Sequence, residues 1–267
     1  MVCLVYEDLT YDYATNRLND VGGNAVQLDA AGNTLVSANG QTYGYSNSGR
    51  LAQVYISSAL VATYTYDWMG RRRIKDSGGN QIVYHYNNTG QLMSESTING
   101  APIRDYVWMD QRPVAVIDHT SSPVSITYLS TDHLGTPRYG TNSAGQLVWR
   151  WQSGPFGDGL PIEDVDGDSN LVSVNLRFAG QYFDEETGLH YNYFRYYNPA
   201  SGRYVTSDPI GLAGGLNTYG YVGGNPLMYS DPFGLAPGEP FASSDDAAID
   251  AGRYSRGMND QSIEYGG

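Results

Sequence analysis

The chain has 267 residues, of which 40% are apolar and 13% aromatic, so it can bury a core of one or two domains. Its formal charge is −13, and the excess lies late: residues 1–151 hold 10 basic and 12 acidic groups, residues 152–267 hold 5 and 16. That field excludes nucleic acid as a partner, since phosphate binding needs positive charge, and one cysteine with four scattered histidines excludes a disulfide framework and a thiolate or imidazole metal cage.

The opening residues, Met1 to Asp8, show no basic leader and only a five-residue apolar run. They read as neither a signal peptide nor a membrane span. Export is therefore expected by a specialised route or as part of something longer. Cys3 reads as a bystander thiol, because no electropositive setting surrounds it.

Across the first half, Y-x-Y recurs as Tyr11-Asp12-Tyr13, Tyr43-Gly44-Tyr45, Tyr64-Thr65-Tyr66 and Tyr84-His85-Tyr86, with Tyr106-Val107-Trp108 as a variant. From Tyr43 the spacings are 21, 20 and 22 residues, and copies are followed by a turn-forming tract and Gly-Arg or Gly-Gln, as at Gly49-Arg50, Gly70-Arg71 and Gly90-Gln91. In a strand, residues i and i+2 share a face, so each copy puts two rings on one side of a sheet. The Asn, Asp, Ser and Gly residues that follow supply hairpin turns. One repeat predicts about one β-hairpin, and successive hairpins must stack to bury their rings. The ring ladder reads as packing between hairpins, with a sugar-stacking surface as the rival reading. The unit resembles the YD repeat.

In the middle, Tyr128 to Arg138 and Gly145 to Trp151 resemble the entry into the core domain of the rearrangement-hotspot (Rhs) family. Asp132-His133 has the residue types for acid–base work but no neighbouring nucleophile. Asp164-Val165-Asp166-Gly167-Asp168 alternates carboxylates around a glycine as a calcium loop does. Its twelfth position, however, is Asn175 where a bidentate Glu is wanted, so the segment reads as an acidic, solvated loop and no metal is expected.

Later, D-P-x-G-L occurs twice, as Asp208-Pro209-Ile210-Gly211-Leu212 and Asp231-Pro232-Phe233-Gly234-Leu235, with Arg195 upstream. Read alone, both are turn motifs, since Asp-Pro starts turns and glycine permits a tight bend. Two carboxylates held together, however, cannot both ionise cheaply, so one keeps a proton while the other can act as a base toward water. A nearby guanidinium favours the ionised partner or steadies an oxyanion. The stretch from Arg177-Phe178-Ala179-Gly180 through Tyr191 to Tyr197 and on to Leu235 resembles the core domain of the Rhs and YD-repeat family and of the C component of insecticidal toxin complexes. That resemblance implies an intramolecular aspartyl protease with Asp208 and Asp231 as catalytic carboxylates and Arg195 as the assisting cation. The second motif, Pro232, Phe233 and Gly234 included, would deliver the scissile bond Leu235–Ala236. No cofactor is implied. Asn198 departs from a frequent Asp of the family.

After Leu235, Ala236 to Pro240 reads as a linker and Phe241 to Asp250 as a capped helix. The tail resembles the opening of a C-terminal effector domain and is too short to carry its activity. The expected organisation is all-β: YD repeats over 1–127 in a spiralling sheet, an inward-coiling core domain over 128–235, and the start of an effector over 236–267. The expected partners are the chain's own C-terminal effector segment, a secretion-machine spike or toxin-complex components, and an immunity protein; the expected location is secreted or at the cell surface. Rival readings are a non-catalytic surface repeat for adhesion or carbohydrate contact, and an inert relic.

Overall fold

The computed structural model describes residues 8–237. Cys3 and the helix expected over 241–250 lie outside the described residues. A small sheet comes first, ordered β1 (Leu9–Asp12), β2 (Arg17–Val21), β3 (Asn24–Ala25). Next comes a sheet of thirteen strands, each paired antiparallel with its neighbour in sequence. It runs through β4 (Gln27–Leu28), β5 (Thr34–Val36), β6 (Thr42–Tyr45), β7 (Leu51–Ile56), β8 (Ala59–Tyr66), β9 (Arg72–Ser77) and β10 (Asn80–Tyr86). It continues through β11 (Leu92–Thr97), β12 (Pro102–Met109), β13 (Arg112–Asp118), β14 (Ser125–Thr131) and β15 (Pro137–Thr141) to β16 (Leu147–Arg150). Strands β13 and β14 pair across residues 127 and 128 without a break. The sheet thus runs on through the position where the core domain is expected to begin.

The repeat has a local cause. In three repeats the polar residue after the aromatic pair turns the chain with its own side chain: Ser46 Oγ accepts from the backbone N–H of Arg50 at 3.2 Å, Asp67 Oδ1 from those of Met69 and Arg71, both at 2.9 Å, and Asn87 Oδ1 from those of Thr89 and Gln91 at 3.0 and 2.9 Å. Three residues on, Gly70 and Gly90 take φ of 77° and 85°, which a side chain disfavours. Asp132 makes the same turn, accepting from Leu134 and Thr136 at 3.0 Å. Its Oδ1 is thereby committed to backbone and its Oδ2 accepts from Arg138 Nε at 3.0 Å, while His133 Nε2 reaches the Leu227 carbonyl.

The first ring of each repeat, Tyr43, Tyr64, Tyr84 and Tyr106, is buried to 5% exposure or less. The second ring ties its repeat to the one before: Tyr86 Oη donates to the Arg72 carbonyl at 2.9 Å, Trp108 Nε1 to that of Leu92 at 2.8 Å, and Tyr66 Oη to that of Leu51. Tyr11 and Tyr13 share the motif but lie at and just after β1, in the small sheet; Tyr13 is 96% exposed and takes no part in the ladder.

Against the ring face lies a four-stranded sheet, β17 (Tyr182–Asp184), β18 (Leu189–Asn192), β19 (Arg195–Asn198) and β20 (Arg203–Tyr204). Tyr64 meets Tyr196 at 5.2 Å between ring centroids and Tyr84 meets Tyr182 at 5.3 Å. The tyrosine ladder therefore packs mainly onto this second sheet, and those rings present no stacking surface to a sugar.

Buried charge joins the same layers. Asp184 accepts from Arg72 and, at 3.2 Å, from Lys75, whose ammonium also reaches Glu186 at 3.1 Å. The Arg72 guanidinium stands over the rings of Tyr84 and Tyr191 at 4.7 and 4.5 Å.

Candidate functional site

Both D-P-x-G-L segments are turns built on the aspartate's own carboxylate, as the repeat turns are. Asp208 Oδ1 accepts from Ile210 N–H at 3.0 Å, and Asp231 Oδ1 from Leu235 N–H at 2.9 Å. Gly211 and Gly234 take the positive φ, 60° and 68°. What local turn chemistry does not require is that these two turns meet at one cation. Arg195, at the start of β19, places Nη2 2.9 Å from Asp208 Oδ2 and 3.5 Å from Asp231 Oδ2, and all three side chains are 2% exposed. Its Nε donates to the Gly234 carbonyl and its Nη1 to that of Thr218 at 3.0 Å. The sequence-derived trio is thus brought together.

One guanidinium serves two buried carboxylates, so a proton is favoured on the pair. Burial pushes Asp208 up to about 6 against the pull of Arg195. Burial raises Asp231 too, while Arg195, the Leu235 N–H and the Tyr204 hydroxyl hold it down.

The second turn is clamped at both ends. Phe194 N–H donates to the Phe233 carbonyl at 3.1 Å, and a Cβ on Gly180 would lie 2.0 Å from the Pro232 carbonyl oxygen. Tyr193 takes φ of 47°, a strained value for a bulky residue. It is held by Arg50, which donates to its carbonyl, and by its own hydroxyl on the Met69 carbonyl at 3.2 Å. Leu235, 9% exposed, packs among Tyr193, Phe194, Ile210 and Phe233. Ala236 and Pro237 are exposed, so the chain leaves the core at the expected bond.

A Cβ on Gly214 would fall 2.3 Å from Asp208 Oδ2 and 2.5 Å from the Leu235 carbonyl oxygen. Those two oxygens can be no farther apart than the sum of these distances. Only glycine leaves the carboxyl and the Leu235 carbonyl this access to each other. A cavity of about 220 Å³ lies beside Asp208, lined also by Arg50, Phe194, Ser207 and Pro209. Another of about 230 Å³, between the small sheet and β20, holds none of the residues expected from sequence.

Sequence reasoning missed Tyr204, Asn192, Gly180 and Gly214. Tyr204 donates to Asp231 Oδ2 at 2.8 Å and lays its ring 3.6 Å from the Arg195 guanidinium. Asn192 Nδ2 donates to the Tyr204 hydroxyl at 2.8 Å and to the Asp231 carbonyl at 3.0 Å. The adjacent pair Gly214-Gly215 was a signal available in sequence; Tyr204 and Asn192 carried none. Elsewhere, carboxylate oxygens of Asp164, Asp166 and Asp168 lie within 4.8 Å of one another, with Asp166 and Asp168 exposed.

The strip of in-order hairpins over a packed tyrosine face defines a YD-repeat shell. The family model of the teneurin YD-shell matches residues 4–221, and the chain belongs to that family, the Rhs and YD-repeat proteins. Double-stranded DNA deaminase toxin A of Burkholderia cenocepacia is 29% identical over 86% of this chain and 19% of its own length. Toxin protein Tse5 of Pseudomonas aeruginosa is 30% identical over 84% of this chain and 20% of its own. The chain thus spans about a fifth of these relatives. The crystal structure of TcdB2-TccC3 without its hypervariable C-terminal region superposes with a TM-score of 0.66 at 23% identity, over 86% of this chain and 12% of that one. At that identity the likeness concerns the fold.

Proposed function

We propose that this segment of a polymorphic-toxin shell cuts its own chain once, between Leu235 and Ala236, to free the C-terminal effector that begins at 236. The observation that carries the reading is the meeting of Asp208, Asp231 and Arg195 beside the Leu235 carbonyl. Hydrolysis needs one carboxylate and one carboxylic acid. The carboxylate takes a proton from water as its oxygen bonds to the Leu235 carbonyl carbon, while the acid gives its proton to the carbonyl oxygen. The resulting diol collapses as the C–N bond breaks. The first group returns its proton to the leaving Ala236 nitrogen and a diol hydroxyl restores the second. Water is consumed, both carboxyl groups are regenerated, and no cofactor enters.

In this reading residues 1–127 form repeats, 128–235 the cutting core and 236–267 the start of the effector. The released segment, held by the shell, is the first partner; toxin-complex components or a secretion spike and an immunity protein are those of the longer protein, which acts outside the producing cell. The intact mass of purified protein under denaturing conditions tests it. Wild type should end at Leu235, and Asp208→Asn and Asp231→Asn should be full length. A wild type that stays uncut, or a cut after Asp231 from acid lysis of Asp-Pro, overturns it.

A further inference from the structure

We propose that Tyr204 is a positioning residue for this cut: its hydroxyl holds Asp231 as the carboxylate that activates water and so leaves the shared proton on Asp208, facing the Leu235 carbonyl. The inference rests on the self-cleavage reading and assigns the roles that reading leaves open.

Asn192 Nδ2 lies 3.0 Å from the Asp231 backbone carbonyl, which can only accept, so the amide is oriented with its nitrogen toward Tyr204 as well. The Tyr204 oxygen therefore accepts from Asn192, and its own hydrogen is left for Asp231 Oδ2 at 2.8 Å. Asp231 Oδ1 already accepts from Leu235 N–H at 2.9 Å, and Oδ2 also faces Arg195 at 3.5 Å. Each oxygen of Asp231 meets a donor, so a proton there would point at another hydrogen. Asp208 differs. Its Oδ1 accepts from Ile210 N–H and its Oδ2 faces Arg195, but Oδ2 also shares the bare side of Gly214 with the Leu235 oxygen, an acceptor. A proton on Asp208 has somewhere to go, and it is the atom the reaction protonates.

The groups facing Asp231 are Tyr204 on β20, Arg195 on β19, Asp208 on the first turn and Tyr221, whose ring lies 5.9 Å from that of Tyr204. Tyr204→Phe keeps the ring under Arg195 and removes only the hydroxyl. Substitution by 3,5-difluorotyrosine keeps the shape and makes the hydroxyl a stronger donor.

Two readouts test the assignment. The first is the carboxyl titration of aspartate-labelled protein by carbon-13 NMR, compared between chains of equal length and assigned with Asp208→Asn and Asp231→Asn. Asp231 should titrate below Asp208 in wild type, move up by about one pH unit in Tyr204→Phe, as loss of one hydrogen bond to a charged group implies, and move down with difluorotyrosine. The second is the rate of cutting against pH after cell-free synthesis, whose acid limb should shift in the same directions. Unshifted titrations, or a uniform slowing with the limb in place, overturn the proposal. If Tyr204→Phe does not fold, the difluorotyrosine chain decides alone. A wild type that is never cut refutes self-cleavage, and the titration then still decides whether Tyr204 holds Asp231 ionised.

Discussion

Two buried charge clusters sit in the same second layer, and they differ in one count. Around Asp184, two cations, Arg72 and Lys75, face two carboxylates, Asp184 and Glu186. Around Arg195, one cation faces two carboxylates, Asp208 and Asp231. Burial pushes every one of these acids toward the neutral form. At Asp184, Arg72 and Lys75 together reverse that push and its carboxyl is held below the usual range. At Asp208 the single guanidinium does not, and the carboxyl stands at about 6. The first cluster is balanced and can only hold layers together; the second is one proton short of balance, which is the condition for acid–base work.

The largest effect should come from unbalancing the first cluster. Asp184→Asn leaves the buried Arg72 without a carboxylate and Lys75 with Glu186 alone, and should cost about 3–5 kcal/mol. Urea unfolding of Asp208→Asn with and without Asp184→Asn, both at full length, checks it; a loss under 1 kcal/mol would mean that the tyrosine rings alone can host Arg72.

Gly214→Ala tests the second cluster without touching a charge. The new methyl must displace the Asp208 carboxyl or the Leu235 carbonyl. Cutting after cell-free synthesis should slow by roughly 100-fold, on the order of what misplacing a reacting group by an ångström costs, while the melt stays cooperative. Unchanged cutting would show that the two oxygens need not approach.

Sequence periodicity made the hairpins legible because one turn recipe, a hydroxyl, acidic or amide side chain followed by a glycine at positive φ, recurs after three of the aromatic pairs. The same recipe made D-P-x-G-L readable as a turn and, through the family, as a site. What covers the ladder was not legible: Tyr64 and Tyr84 meet rings at Tyr196 and Tyr182 from a sheet more than ninety residues further on. Tyr11 and Tyr13 show the limit of a motif, for the same letters fall at the end of the small sheet, where Tyr11 meets the Arg203 guanidinium and not a ring of the core, and Tyr13 is left exposed. Tyr204 escaped notice because its role depends on the meeting of β18, β20 and the Asp231 turn, which leaves no spacing in the chain.

The pH dependence of stability should carry opposite signs at the two clusters. Asp208 is raised on folding, so its contribution favours the fold fully below the unfolded carboxyl value and is lost as pH climbs through about 6. Asp184 is lowered, so its contribution is present above the unfolded value and is lost as pH falls. Urea midpoints measured from pH 4 to 7 should therefore decline less steeply in Asp208→Asn than in wild type. An identical slope would place the surplus proton elsewhere.

The smallest expected effect converts one cluster into the other. Lys75→Met leaves Arg72 alone with Asp184 and Glu186, the same ratio as at Arg195. The methionine has a similar length and gives up only the ammonium, which stands 5.8 Å from the Tyr182 ring centroid. Glu186, 16% exposed and already raised by burial, is the carboxyl able to take up a proton. At pH 7 the loss should be only about 1–2 kcal/mol, because one group can neutralise without stranding a charge. It should shrink as pH falls toward 5 and Glu186 binds its proton, which urea midpoints at the two pH values would show. A loss that is independent of pH would mean that Lys75 acts through packing, and that charge count alone does not separate the two clusters.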